Sequence, residues 1–241
     1  MFVKRPAKHQ VRQTANVKHA YNRKVEDDWL AHIDVDEFVV PDQRISENLQ
    51  KCPTKLSARM RRTDLLVGTA DIFKAFILKV PDQAQLVENL SPEFGSFVKG
   101  VFLSHVAGKY FVRTGISGFA LRIHNVFQEI GNNQSRIELR SLTLAHCRAK
   151  PFDEWHISFR YHLKQGSYRV SFGSAIKGGP SLHVMFVMLE KTKGTDGLKS
   201  FFEEAVVGTP RLQDRLENNY LLRKIDLDLD AKLARHFPNF T

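Results

Sequence analysis

Two periodicities of apolar and polar side chains run along this chain, and together they predict a mixture of helices and strands. Residues 8–25 repeat small and apolar side chains at nearly helical spacing, which predicts an amphipathic helix. Residues 29–40 are rich in β-branched and aromatic side chains, as strands are. Further strands are predicted at 56–62, 97–103, 109–113, 120–124 and 135–144, and further helices at 45–51, 153–163, 182–189, 198–206, 211–222 and 227–237. Residues 64–101 are predicted to be an extended loop with short helices.

Three carboxylates interrupt the apolar run of residues 29–40. An ionised carboxylate is costly to bury unless a cation or hydrogen bonds compensate it. If the run is one strand, Asp34 and Asp36 share a face close to its end, and Glu37 lies on the other face. Two oxygen ligands pointing at one place suit Mg²⁺ or Mn²⁺, whose other ligands are water and substrate phosphates. The alternative is a solvated acidic strand end. A calcium loop is excluded because Val39 stands where an EF-hand needs glycine.

Several segments of the chain, in a fixed order, carry a resemblance to a known family. They are Arg5, His9-Gln10, Arg12-Gln13 and Tyr21-Asn22; the acidic stretch DVDEF at 34–38; residues 108–113 with Ile123-His124-Asn125; Leu144-Ala145-His146; residues 152–155; and residues 166–169. In this order they resemble the bacterial family-2-like glycosyltransferases of GT-A type. Each segment is degenerate alone, but the ordered set covers most of the chain.

The resemblance implies an α/β fold: a partial GT-A type, Rossmann-like mixed sheet flanked by helices, with a helical C-terminal region. Residues 1–150 would be the partial glycosyltransferase core, and residues 151–241 would form the helical region packed on the same unit. The implied activity is metal-dependent transfer of a sugar from a nucleotide-sugar donor to a hydroxyl of a glycan or another acceptor. Its cofactor would be Mn²⁺ or Mg²⁺.

Members of this family normally begin with a βαβ half that holds the nucleotide. The resemblance implies that this chain starts after that half, either because its N-terminus is truncated or because it is a remnant that has lost half of its donor site. We therefore expect residues 1–241 alone to be a poor catalyst. Missing first strands would leave a sheet edge unpaired, so a homodimer is a further expectation.

The resemblance also assigns roles to individual residues. The metal ligands would be Asp34, Asp36, His124 and His146; the diphosphate of the donor would contact Arg5, Gln13, Lys109 and Arg113; Trp155 would contact the acceptor. Glu37 and Glu154 are the candidate catalytic carboxylates, and the base that deprotonates the acceptor is not identified. Each assignment has a plain structural alternative: a core histidine, an exposed strand charge, or an ordinary helix start with a buried tryptophan.

The distribution of charge agrees with a site for a metal and a diphosphate. The chain carries a net charge of +10. Residues 1–24 hold seven basic side chains and no acid, whereas residues 26–47 hold eight acids and one arginine. Cations would bind phosphates and carboxylates would bind the metal. A solvated helix face or contact with an anionic membrane surface would use the same basic residues. The alternative function is therefore a noncatalytic or degenerate protein that binds glycans or anionic surfaces.

Other classes find little support in the sequence. The chain has no basic motif interleaved with aromatic residues, so no nucleic-acid partner is expected. It has no apolar run long enough to span a membrane and no secretory signal, which predicts a cytoplasmic protein. Its two cysteines lack metal-ligand spacing and are predicted to be reduced thiols. Phosphate loops, dinucleotide glycine fingerprints and nucleophile elbows are absent from the sequence.

Overall fold

The structure is a computed structural model, and it describes residues 9–23, 28–52, 56–77, 82–98, 102–103, 106–128, 136–148, 150–170 and 179–238. Within these residues the chain is mixed α/β, with a sheet flanked by helices, as the sequence predicts at this coarse level. The helices are α1 His9–Tyr21, α2 Ile45–Gln50, α3 Gln83–Leu90, α4 Phe152–Lys164, α5 Leu182–Ala205, α6 Pro210–Asn218 and α7 Leu229–His236. The strands are β1 Trp29–His32, β2 Glu37–Pro41, β3 Ser57–Leu65, β4 Ile72–Ala75, β5 Lys109–Arg113, β6 Phe119–Leu121, β7 Val126–Gln128, β8 Arg136–His146 and β9 Leu222–Lys224.

The chain forms two compact units, and each unit is assembled from two separate segments of the sequence. The first unit comprises Met1–Thr63 and His105–His146, and the second comprises Asp64–Ser104 and Cys147–Thr241. The chain passes between the units three times, and the sequence-based boundary at residue 150 lies near the third passage, but residues 64–104 belong with the C-terminal part and not with the first 150 residues. The reason is packing: α3 buries Val87 and Leu90 in the same apolar cluster as Phe201 of α5.

The sheet of the first unit is built around β5. β5 pairs with β1 on one side and with β3 on the other, both antiparallel. β8 lies beside β3 and also pairs with β2. Side chains alternate across β5, so Phe111 packs with one apolar cluster and Tyr110 and Val112 with another, which Val17 of α1 covers. All ladders with a described register are antiparallel, unlike the parallel strands of a Rossmann-like half.

The prediction of one continuous strand over residues 29–40 is wrong. β1 ends at His32, β2 begins at Glu37, and a turn joins them. The turn is closed by the Glu37 N–H donating to the Asp34 carbonyl at 3.1 Å, and by the Asp34 N–H donating to Glu37 Oε2 at 2.7 Å. The Glu37 side chain thus satisfies a backbone donor that a strand partner would otherwise bind.

The second unit packs its helices around an aromatic cluster. Phe159, Phe186 and Phe201 are each fully buried there, and Trp155 is 8 % exposed. The two helices predicted at 182–189 and 198–206 both lie within α5, and the helical backbone is broken between them at Gly194, which has a φ of 59° and a ψ of −143°. The strand predicted at 97–103 is wrong in its described part, because a 3₁₀ turn occupies Gly95–Phe97. The helix predicted at 211–222 ends earlier, at Asn218, and is followed by β9, which pairs with β4.

Two further sequence-based expectations concern membrane spans and cysteines. No helix in the described ranges has both the length and the apolar character needed to cross a membrane. Within the described residues, no disulfide bond joins Cys52 and Cys147.

Candidate active site

A buried lysine between two carboxylates forms the centre of the candidate site. Lys109, the first residue of β5, has no solvent-exposed side-chain surface. Its Nζ lies 2.9 Å from Asp34 Oδ2 and 3.5 Å from Glu37 Oε2. The antiparallel register of β1 and β5 ends at the pair His32 and Tyr110, which places the start of β5 beside the acidic turn. The ladder therefore brings together charges that lie more than seventy residues apart in sequence.

Helix α1 contributes to the same cluster through its first turns. Gln13 Nε2 donates a hydrogen bond to Asp34 Oδ1 at 3.0 Å, so both oxygens of this carboxylate are bonded. Tyr21, at the end of α1, donates its hydroxyl to the carbonyls of Arg113 and Ile116 at 2.9 and 2.6 Å. These bonds hold the helix across the end of β5 and orient Gln13 towards the turn.

The two carboxylates bound by Lys109 differ in acidity. Burial raises the pKa of Asp34, but the hydrogen bond and the charge of Lys109 outweigh burial and hold that pKa below its ordinary value. Burial also raises the pKa of Glu37, and the attraction of Lys109 does not cancel this rise. Burial and the charge of Lys109 lower the pKa of His32, whose Nδ1 is buried and has no hydrogen-bond partner among the described residues. Asp34 is thus the more strongly anionic member of the pair.

Asp36 points to a different partner. In the ladder of β2 and β8, Glu37 lies opposite His146, which places the end of β8 beside the turn. His146 Nε2 lies 3.7 Å from Asp36 Oδ2, and the side chains are 10 % and 38 % exposed, respectively. Of the acids in the turn, Asp36 is the one that solvent and a ligand can reach most readily.

The predicted metal ligands are only partly brought together. Among the described residues, no group of three or more histidines, cysteines, aspartates or glutamates is arranged to hold a metal ion. Asp34 turns towards Lys109 and Asp36 towards His146, so the prediction that both aspartates point at one place is wrong, because they lie in a turn and not on one strand face. His124 acts on Asp34 through its charge, while its Nδ1 lies 3.3 Å from the Gly108 carbonyl. Asp36 and His146 are the two residues that fit a metal whose remaining ligands are water and substrate phosphates.

The residues predicted to contact the diphosphate lie in different parts of the structure. Gln13 and Lys109 both bind Asp34. Arg113 shares the strand face of Lys109 but lies at the other end of β5, a strand distance of about 13 Å away. Its guanidinium carbon lies 4.5 Å from the Trp29 ring centroid, and its NH2 donates to the Cys52 carbonyl at 3.4 Å. Arg5 lies outside the described residues.

Trp155, which was predicted to contact the acceptor, and Glu154, a predicted candidate for a catalytic carboxylate, both lie in the second unit. Trp155 is buried within the aromatic cluster, and its Nε1 donates to the Tyr168 hydroxyl at 3.1 Å. A sugar platform needs an exposed ring face, so the prediction for Trp155 is wrong: its ring packs against Phe159, Phe186 and Phe202. Glu154 is exposed and pairs with Lys150, four residues earlier in the sequence, at 3.7 Å.

Sequence reasoning missed His32 as part of this cluster. It stands at the end of β1, two positions before Asp34, and the charge of each group acts on the pKa of the other. The available signal was its position: a histidine that ends an apolar run directly before an acidic turn. Asp34 is ionised, Lys109 is buried against it, and Asp36 is presented beside a histidine. This arrangement can bind a cation at Asp36 and a polar group of a ligand at the turn.

The opposing pKa shifts predict how stability depends on pH. Because the pKa of Asp34 is lowered on folding, its contribution is present above the unfolded-state pKa and is lost as pH falls through the folded-state pKa. We expect the variant Asp34→Asn to lose less stability than the wild type over this acidic window. Urea unfolding across the acidic range measures the difference, and Asp42→Asn at an exposed site is the control. If the unfolding free energies of wild type and Asp34→Asn fell equally as the pH was lowered, the assigned ion pair would be contradicted.

Comparison with known proteins yields no match, whether to a family model, to a curated protein or to a solved structure.

Proposed function

We propose that the chain is a glycosyltransferase of GT-A type that transfers a sugar from a nucleotide-sugar donor to a hydroxyl of a glycan or another acceptor. The proposal rests on the resemblance of its ordered segments to the bacterial family-2-like enzymes. It includes the finer fold assignment, in which the sheet of the first unit corresponds to part of a GT-A sheet.

The observation that best supports the proposal is the asymmetry of the acidic turn. Lys109 and Gln13 together engage both oxygens of Asp34, whereas Asp36 is more exposed and lies beside His146. A solvated strand end would have no reason to bury a lysine completely, because removing an ammonium group from water is expensive. The buried ion pair holds the turn rigidly. A rigidly supported, exposed side chain that can ligate a metal is typical of binding sites.

Each residue then has a limited role. Asp36 and His146 would hold Mn²⁺ or Mg²⁺, which supplies neutralisation of the charge on the departing nucleoside diphosphate. Lys109 keeps Asp34 ionised and fixes the turn that presents Asp36. Glu37 serves the same turn through its hydrogen bond from the Asp34 N–H, which makes it a positioning residue rather than the acceptor base. Arg113, on the same strand face, would add positive charge further along the donor.

We expect Mn²⁺ or Mg²⁺ to strengthen the binding of nucleoside diphosphates, and we expect the variant Asp36→Asn to remove this gain. Replacing the carboxylate by an amide keeps its shape but removes the negative charge that attracts the metal. Calorimetry with UDP and then GDP, each with and without metal, measures the effect. The matched control is Asp42→Asn, which removes an exposed carboxylate just after β2 and should keep the metal-dependent gain.

A metal-independent affinity that survives Asp36→Asn would contradict the metal assignment. Binding of glycans or anionic vesicles without any nucleotide binding would favour the alternative function, a noncatalytic or degenerate protein. The proposal also places the protein in the cytoplasm. It includes two partners: an anionic membrane surface, which the protein would contact peripherally, and a second copy of the chain, with which it would form a homodimer. Size-exclusion chromatography with light scattering tests the dimer directly.

A further inference from the structure

A cavity lined by three arginines lies in the first unit, away from the acidic turn. Its volume is about 180 Å³, against the roughly 10–15 Å³ that one water needs. The polar residues that line it are Ser57, Arg59, Arg61, Tyr110, Arg136 and Glu138. The space is therefore large enough for a small polar ligand and is rich in hydrogen-bond donors.

The cavity opens on the opposite face of the sheet from Lys109. Side chains alternate along β3, so Ser57, Arg59 and Arg61 share one face, while Ala58 and Met60 pack with Phe111 on the other. The register pairs Arg59 with Tyr110 and Met60 with Lys109, which places Lys109 on the Met60 side. The arginine cavity is accordingly a separate place from the candidate active site.

The guanidinium groups of Arg59 and Arg136 are held in position by hydrogen bonds that they donate to neighbouring residues. Arg59 donates to the carbonyls of Ala107 and His124 and to Asn125 Oδ1, the last two at 3.1 and 2.9 Å. Arg136 donates to the Val126 carbonyl, and its guanidinium carbon lies 5.5 Å from the Phe127 ring centroid. Cationic side chains that are ordered before a ligand arrives lose little entropy on binding.

The charges in the cavity do not balance. Arg61 binds Glu138, with Nε and NH2 at 2.8 and 2.6 Å from the same carboxylate oxygen. Among the described residues of the lining, three arginines and one glutamate leave an excess of two positive charges. Burial lowers the pKa of Arg59, and the charges of Arg61 and Arg136 lower it further, which shows that like charges crowd this guanidinium. An anion in the cavity would relieve that repulsion.

We infer that this cavity binds a soluble phosphate monoester, and not a lipid headgroup, with Arg59 and Arg136 as the principal ligands of its dianionic group. A phosphate group matches the excess of two positive charges, and its tetrahedral oxygens accept several guanidinium donors at once. A carboxylate carries one charge only and would leave the cavity electropositive. The Ser57 hydroxyl adds a neutral donor on the same strand face. This inference is independent of the glycosyltransferase proposal, because no residue of the acidic turn takes part.

The test is calorimetric titration of inorganic phosphate into the full chain at constant ionic strength, without added metal. We expect one phosphate to bind per chain, and Arg136→Gln to weaken that binding about tenfold or more through loss of a charged hydrogen bond. Arg136 is the exposed member of the three, so its replacement should leave folding intact. The matched control, Arg140→Gln, removes the same charge from an exposed position of β8 outside the cavity and should retain wild-type affinity.

Two further arms identify the ligand chemistry. Acetate at the same ionic strength should bind far more weakly than phosphate, and vesicles containing phosphatidic acid should not bind in a manner that depends on Arg136. Equal phosphate affinity in wild type and Arg136→Gln would overturn the inference. Vesicle binding that depends on Arg136, without binding of free phosphate, would overturn it in favour of a lipid headgroup.

Discussion

Replacing Lys109 by methionine should destabilise the protein by about 3–5 kcal/mol. The side chain is completely buried, and its ammonium group lies between the carboxylates of Asp34 and Glu37. Methionine fills a similar length of space but supplies no charge and no hydrogen bond. Two carboxylates would then be left without their cation, and the cost of an uncompensated buried charge is large. Urea unfolding near neutral pH measures the loss.

A surface lysine provides the matched control for this variant. Lys150 pairs with Glu154, and both side chains are 58 % exposed, so Lys150→Met should change stability by no more than about 1 kcal/mol. The pH dependence gives a second and more specific check. In Lys109→Met, protonation of Asp34 and Glu37 removes the unpaired charges, so the difference from wild type should shrink as pH falls. A loss that is the same at every pH would show that packing, and not charge, is the cause.

Several elements of the first unit could be predicted from the local sequence. Strand β5 was predicted at its observed bounds, because its short run of aromatic and β-branched side chains directly follows the turn residue Gly108. The predicted helix at 8–25 includes α1, and the predicted strand at 135–144 corresponds to most of β8. These elements are marked by local sequence patterns, and tertiary packing did not override them.

The geometry of the acidic turn did not follow from periodicity. Residues 29–40 carry the apolar pattern of one strand, yet the Glu37 side chain binds the Asp34 N–H and closes a turn within it. The pairing of Glu37 with His146 joins positions far apart along the chain, and no local pattern encodes such a register. Once the strand is broken, Asp34 and Asp36 no longer share a face. The prediction of two converging ligands fails for this reason.

Trp155 illustrates a different limit. A tryptophan at a helix start is compatible with a ligand platform and with a core position, and the sequence around it does not distinguish the two. The structure surrounds it with aromatic rings from α4 and α5, and these neighbours are set by tertiary packing. The arginine cavity was missed for a similar reason: its charges come from β3 and β8, which are adjacent only in the folded sheet.

Replacing Gly108 by alanine should destabilise the first unit by about 2–5 kcal/mol, and it should disturb the candidate site as well. Gly108 adopts a φ of +66°, which costs a residue with a side chain about 1–2 kcal/mol. A Cβ there would lie 2.1 Å from the Met60 carbonyl oxygen, a backbone atom of β3 that cannot rotate away. Relieving that overlap requires β5 and β3 to separate, at an overpacking cost of roughly 1–3 kcal/mol.

Gly118→Ala isolates the contribution of the overlap. Gly118 has a φ of +83°, also in the left-handed region, but a Cβ there would meet no atom of the described part of the chain within 4 Å. Both variants therefore strain the backbone, and only Gly108→Ala forces two strands apart. Because Gly108 directly precedes Lys109, the shift should lengthen the Lys109–Asp34 ion pair and raise the pKa of Asp34, which NMR titration of its carboxyl group can follow. Equal loss of stability in the two alanine variants, with an unchanged Asp34 pKa, would show that the close approach of Gly108 to β3 does not support the site.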